Sequence, residues 1–206
     1  MAEKIRRADF SDALVHLTRE RREYSSTDFL KQELLREVSA FDVLKEILSS
    51  GIIRGSGNEG YVKGTRPAVY FSEIPLAAMH LFARPPDDPF EPATKARYRF
   101  CGIAISKRAL FEAGGRPVIY LPDSEGHWIP PEEKWRQVRY EHGRVDFTHE
   151  REWRAPGDLD LKTLSSGIYV IVWSATEVRE LAKFSSAAVA GRVLWIIPME
   201  HMVGMV

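Results

Sequence analysis

Short runs of β-forming residues, each closed by glycine, proline or a charged cluster, set the narrowest limit on what this chain can fold into. DALVHLTR (12 to 19), PAVYFSEI (67 to 74), YRFCGIAIS (98 to 106), RPVIYLP (116 to 122), GIYVIVWS (167 to 174) and RVLWIIP (192 to 198) all read as strands. The first is followed by a charged loop, and the last reads as a buried strand.

Between the strands the helical patterns are short, with one exception. TDFLKQELLREVSAFDVLKEILSS (27 to 50) repeats apolar residues every three or four positions. Phe29, Leu30, Leu34, Leu35, Val38, Phe41, Leu44, Ile47 and Leu48 form one broad stripe, so the spacing predicts one amphipathic helix or two in succession. Thr27 is the expected N-cap and Gly51 the expected stop. Shorter helices are expected after Pro75, over SKRALFEAGG, around Glu132 to Tyr140 and over VRELAKFSSAAVA. RPPDDPFEPATK reads as a surface loop, and the glycine-rich segment 55 to 66 as a mobile cover. Strands and helices alternate irregularly, which argues for one α+β domain over residues 1–206 rather than a doubly wound parallel sheet.

Composition narrows the function classes. The 206 residues carry 29 basic and 29 acidic side chains, so no global positive field draws the chain to nucleic acid or anionic lipid. MAEKIRRADF has no apolar core of the signal-peptide kind, and no run reaches transmembrane length, so a cytoplasmic protein without membrane contact is expected. A single cysteine excludes an internal disulfide, and Cys101 in FCGIAI reads as a buried strand thiol. Phosphate-loop, dinucleotide, nucleophile-elbow and His-Glu-x-x-His signatures are missing, and His142 and His149 lack metal-ligand spacing.

Three constellations remain. His16-Leu17-Thr18-Arg19 puts His16 and Thr18 on one face of the first strand, where a histidine bonded to backbone is the plainer alternative. In Tyr70-Phe71-Ser72-Glu73, Tyr70 and Ser72 share a face, while Glu73 is also explained as a first-turn carboxylate of the next helix. In Glu150-Arg151-Glu152-Trp153-Arg154, strand alternation points Glu150, Glu152 and Arg154 one way and Arg151 and Trp153 the other. A charged ladder on an exposed edge is the alternative there.

The order of these groups, a first-strand His, an aromatic-x-Ser and a late Glu-x-Glu, resembles the ADP-ribosyltransferase superfamily. VHLTR, ILSSGI, FSEIPL (71 to 76), GIAISK (102 to 107), PVIY (117 to 120) and EREWR (150 to 154) together resemble the AbiGi-type abortive-infection proteins of bacterial phage defence. That likeness runs from about residue 14 to residue 156 in matching order, and a remoter one leads to transferases of the DarT type.

The resemblance implies a split mixed or antiparallel sheet with flanking helices and an NAD cleft. Breaking the nicotinamide glycosidic bond builds an oxocarbenium-like ribosyl cation, which a nearby anion stabilises and a polar clamp orients. In that scheme Glu152 is the catalytic carboxylate, with Glu150 and Glu73 as rivals. His16, the second catalytic candidate, holds the cofactor with Thr18, Tyr70 stacks on nicotinamide, Ser72 orients its ribose, and Arg154 or Arg19 meets the pyrophosphate. The chain departs from the Arg-dependent branch, which has Ser-Thr-Ser where Phe71-Ser72-Glu73 stands, and offers only Tyr70 for the Tyr pair of the His-dependent branch. The acceptor would be nucleic acid, protein or water. Two other readings stay open: an NAD-independent enzyme acting on a glycosidic or phosphodiester bond of nucleic acid, and a non-catalytic antitoxin or sensor paired with a cognate partner protein.

Overall fold

The computed structural model describes residues 11–25, 33–57, 61–81, 83, 98–183 and 188–200. The Thr27 cap, Phe29, Leu30 and the whole proline-rich loop lie outside the described residues. The fold is α+β, with a large mixed sheet and few helices. In chain order its elements are β1 (Ala13–Leu17), β2 (Arg21–Tyr24), β3 (Leu34–Val38), α1 (Ala40–Ser50), β4 (Ile52–Ile53) and β5 (Ala68–Ser72). Then come β6 (Gly102–Ser106), α2 (Lys107–Glu112), β7 (Arg116–Pro117), β8 (Ile119–Leu121) and β9 (Gln137–Arg139). β10 (Glu152–Pro156), β11 (Leu159–Asp160), β12 (Ile168–Val172), α3 (Ala175–Ala182) and β13 (Val193–Pro198) complete the order. Among the described residues, no helix is long and apolar enough to cross a membrane.

By its contacts the chain forms two compact units. The first comprises Met1–His16, Ile52–Leu76 and Ala104–Gly167, and the second comprises Leu17–Gly51, Ala77–Ile103 and Ile168–Val206.

In the first unit β1, β5, β10 and β7 are successive antiparallel neighbours. Val15 stands opposite Ser72 across β1 and β5, and Glu152 opposite Ser72 across β5 and β10. Arg154 stands opposite Tyr70 on one side and Arg116 on the other. Alternation then buries Leu14, Val69, Phe71 and Ala155, each at most 1% exposed. Ser106 ends β6 and caps α2 by accepting the Ala109 N–H. β8 and β9 pair separately and in parallel, as a two-stranded sheet.

The expected helix around Glu132 to Tyr140 is a 3-10 segment, Pro131–Arg136, followed by β9. Pro130 and Pro131 start it, but it delivers Trp135 to the core at 2% exposure and then yields to Gln-Val-Arg in extended form. The segment after Pro75 is likewise 3-10, Leu76–Leu81. The start of the glycine-rich segment is hydrogen-bonded in place at Gly55 and Ser56. The Gly55 N–H donates to Asp158, Ser56 and Ala68 exchange backbone bonds, and a Cβ at Gly55 would meet the Gly157 carbonyl oxygen at 2.5 Å.

In the second unit β12 and β13 run parallel, and β2 and β3 pair antiparallel. The stripe over 27 to 50 is only half helical. Ser39 accepts the Asp42 N–H and starts α1 afresh, so Leu34–Val38 is released to pair with Arg21–Tyr24. Leu34 and Leu35 are consequently exposed, whereas Leu44, Ile47 and Leu48 of α1 are buried. Gly51 ends α1 as expected, at φ 72°, with its N–H on the Ile47 carbonyl. A Ser174/Glu177 capping box starts α3 three residues ahead of the expected helix. The last strand is not buried: among the described residues β13 closes the sheet order with β12 as its one partner, and Leu194 is 54% and Trp195 69% exposed. Cys101 is buried, and burial pushes its thiol up to about 12.

Candidate functional site

The expected site residues fall mostly in the first unit, on β1, β5 and β10. β10 starts later than strand alternation over 150 to 154 requires. Thr148–Glu150 is a 3-10 turn, and Arg151 takes a left-handed conformation at φ 45°. This interruption removes Glu150 from the strand, so Glu150 and Glu152 do not share a face by pleating, and Arg151 is not a strand residue. A non-glycine residue in that region stores strain, which the neighbouring bonds offset. The Glu150 carbonyl accepts the Ser72 hydroxyl at 2.6 Å and the Glu73 N–H at 3.3 Å.

The register then brings Tyr70, Ser72, Glu152 and Arg154 to one face of β5 and β10, as cross-strand pairs. Glu152 and Arg154 are 7% and 4% exposed, and Arg154 Nε donates to Glu152 Oε1 at 2.6 Å. Arg154 Nη1 also donates to the Trp135 carbonyl at 2.7 Å. The guanidinium is thus spent inside the protein, on a carboxylate and a backbone oxygen, and does not face outward to a pyrophosphate. Glu152 Oε2 has no hydrogen-bond partner among the described residues, and it is not among their buried unsatisfied atoms. One carboxylate oxygen is therefore anchored and the other is open to a ligand.

Glu73 belongs to the opposite face, with Phe71 and Trp153. Its Oε1 is 2.6 Å from Lys107 Nζ, and its Oε2 accepts the Trp153 indole N–H at 3.3 Å. It lies before the 3-10 turn, not in the first turn of a helix. Lys107 is a partner that the Glu-based reasoning missed, although it ends the GIAISK segment on which the resemblance rests.

His16 follows Val15, and Val15 faces Ser72, so alternation sets His16 across from Phe71. Its ring centroid lies 5.5 Å from that of Tyr70 and 5.7 Å from that of Phe71. Nδ1 is 2.9 Å from the Tyr70 carbonyl oxygen. A carbonyl only accepts, so the proton sits on Nδ1 and Nε2 keeps its lone pair. Burial holds the imidazole below the usual histidine value, partly countered by the bond to Tyr70. The neutral ring with an open Nε2 is an acceptor for a hydroxyl.

The sign of the pH effect follows. With its folded value lowered from 6.5, His16 takes up a proton more readily in the unfolded chain, so it subtracts stability as pH falls below about 6.5. His16→Gln is expected to remove this loss, so the wild-type-minus-variant stability difference falls as pH drops through that acid window and stays constant above it. Chemical denaturation between pH 8 and about 5 checks this, and a difference curve without slope there contradicts it.

Thr18 and Arg19 belong to the second unit. The Thr18 hydroxyl lies within hydrogen-bond distance of the Ala40 and Cys101 carbonyls, at 2.8 and 2.9 Å, as a structural tie, and Arg19 is exposed. Tyr120 was not anticipated at all. Its phenol oxygen accepts the Glu152 N–H at 2.9 Å, and burial pushes its hydroxyl up to about 12. PVIY marks a strand, but nothing in it tells which way the phenol turns. Among the described residues no group of three or more His, Cys, Asp or Glu side chains is placed to hold a metal ion.

The chain matches no protein-family model, no curated protein and no solved structure.

Proposed function

We propose that the protein is an ADP-ribosyltransferase-like enzyme of phage defence, acting in the cytoplasm, that cleaves NAD and transfers the ADP-ribosyl group to nucleic acid or protein. The observation that carries this reading is the sheet order: the strands bearing His16, Tyr70 with Ser72, and Glu152 are immediate neighbours, with Glu152 opposite Ser72. The half-anchored Glu152 carboxylate suits the chemistry. As the C1'–N bond breaks, nicotinamide leaves with the electron pair and positive charge grows on the ribose, where a fixed anion lowers the barrier. The acceptor nucleophile then bonds to C1' and gives up its proton. Arg154 holds the carboxylate in place, and Tyr70, whose ring packs 5.5 Å from that of His16, offers a ring face to nicotinamide. The phage-defence setting rests on the AbiGi-type resemblance of FSEIPL, GIAISK, PVIY and EREWR.

A second reading has its own observation. Glu152 and Glu73 each already own a cation, Arg154 and Lys107 respectively, which also suits a non-catalytic partner of a two-gene system. Nicotinamide release by the purified chain, together with growth arrest on expression alone, separates the two. Release and arrest are expected. Neither release nor arrest gives the non-catalytic reading the stronger claim, and arrest without nicotinamide release favours the NAD-independent enzyme.

A further inference from the structure

We infer that Tyr120 forms, with Glu152, a donor–acceptor pair that reads one hydroxyl of the bound substrate, namely a hydroxyl of the nicotinamide ribose; this rests on the NAD reading above. β7 pairs with β10 only as far as Pro117, opposite Trp153. Val118 still donates its N–H to the Glu152 carbonyl at 3.0 Å, after which the chain peels away to pair with β9. The Glu152 N–H then has no strand carbonyl to meet, and the Tyr120 hydroxyl takes the carbonyl's place at 2.9 Å. A tyrosyl side chain standing in for a backbone acceptor binds the first residue of β10 from outside its ladder.

The consequence for chemistry lies in the remaining hydrogen. A phenol accepts through oxygen and donates one O–H. The acceptor role is taken by Glu152, and among the described residues the O–H has no acceptor of its own. The ring is half-buried, and its raised ionisation keeps the proton in place at any physiological pH. Glu152, whose N–H the phenol receives, carries in Oε2 an acceptor that has no donor among the described residues. A hydroxyl both donates and accepts, so one hydroxyl satisfies both groups at once. A site built to bond a hydroxyl rejects the analogue lacking it, because its own polar groups are then left unpaired. Tyr120 is therefore a substrate-reading and positioning residue for Glu152.

The test compares cleavage of NAD with that of NAD lacking the 2'-hydroxyl on the nicotinamide ribose, in wild type and in Tyr120→Phe. The ratio between substrates cancels their different intrinsic reactivity and any general loss of fold. That ratio is expected to shrink roughly tenfold in Tyr120→Phe, the effect of one lost hydrogen bond. Equal ratios in an active wild type and an active variant overturn the role of Tyr120 while leaving the NAD reading standing. A wild type that cleaves neither substrate overturns both. Should Tyr120→Phe not fold, the wild type alone decides: cleavage of the two substrates in the ratio of their spontaneous rates means that no group reads the hydroxyl.

Discussion

Arg154→Ala is expected to cost about 3–5 kcal/mol of folding stability, the loss that follows when one partner of a buried ion pair is removed. The guanidinium is 4% exposed, and the substitution strips both the Glu152 carboxylate and the Trp135 carbonyl of their donor. Denaturant titration measures the loss. Glu152→Gln introduced into the same chain is expected to recover part of it, because the uncompensated charge is then gone. A loss below about 1 kcal/mol would mean that the pair behaves like an exposed one, screened by water.

Glu152→Gln alone acts on chemistry more than on fold. The amide retains an oxygen for Arg154 Nε but leaves the buried guanidinium without its counter-charge, so a loss of stability smaller than that of Arg154→Ala is expected. Nicotinamide release is expected to fall about 10²–10³-fold, the usual effect of deleting a group aimed at transition-state charge. Steady-state kinetics measures it, with kcat carrying the loss and KM nearly unchanged. Activity retained within about twofold removes Glu152 from the catalytic role and turns attention to Glu150 or Glu73.

What could be read from the residues alone depended on distance along the chain. β1, β5, β12 and the helix α2 were legible because alternation, capping serines and glycine stops act over a few residues. The break at Ser39 was not, because ELLREV continues the three-and-four spacing of the helix that follows it; only the Ser39–Asp42 capping bond separates the two. The exposure of Trp195 depends on β13 having one neighbour, a property of strand order that its own apolar composition conceals.

The site divides in the same way. That Tyr70 and Ser72 share a face is local pleating, and it was legible. That Glu152 faces Ser72 depends on a register set across 80 residues of sequence, and the ADP-ribosyltransferase resemblance supplied the hint of it. The strand expected over Glu150 to Arg154 was misjudged at Arg151, whose positive φ has no composition signal: glycine or asparagine would have announced it, and arginine does not. The spending of Arg154 on Trp135, and the stand-in role of Tyr120, are contacts between segments far apart in sequence, which periodicity does not encode.

The central claim is that this sheet holds an NAD site. Isothermal titration of NAD into the purified chain tests it most directly, with wild type beside His16→Ala and Glu152→Gln. Saturable heat is expected in wild type, weakened by His16→Ala and retained by Glu152→Gln, since the first removes the ring packed against Tyr70 and the second only the charge that acts in the transition state. Absence of heat in wild type at NAD concentrations on the order of millimolar, where even a weak site of about −4 kcal/mol would fill, contradicts the claim.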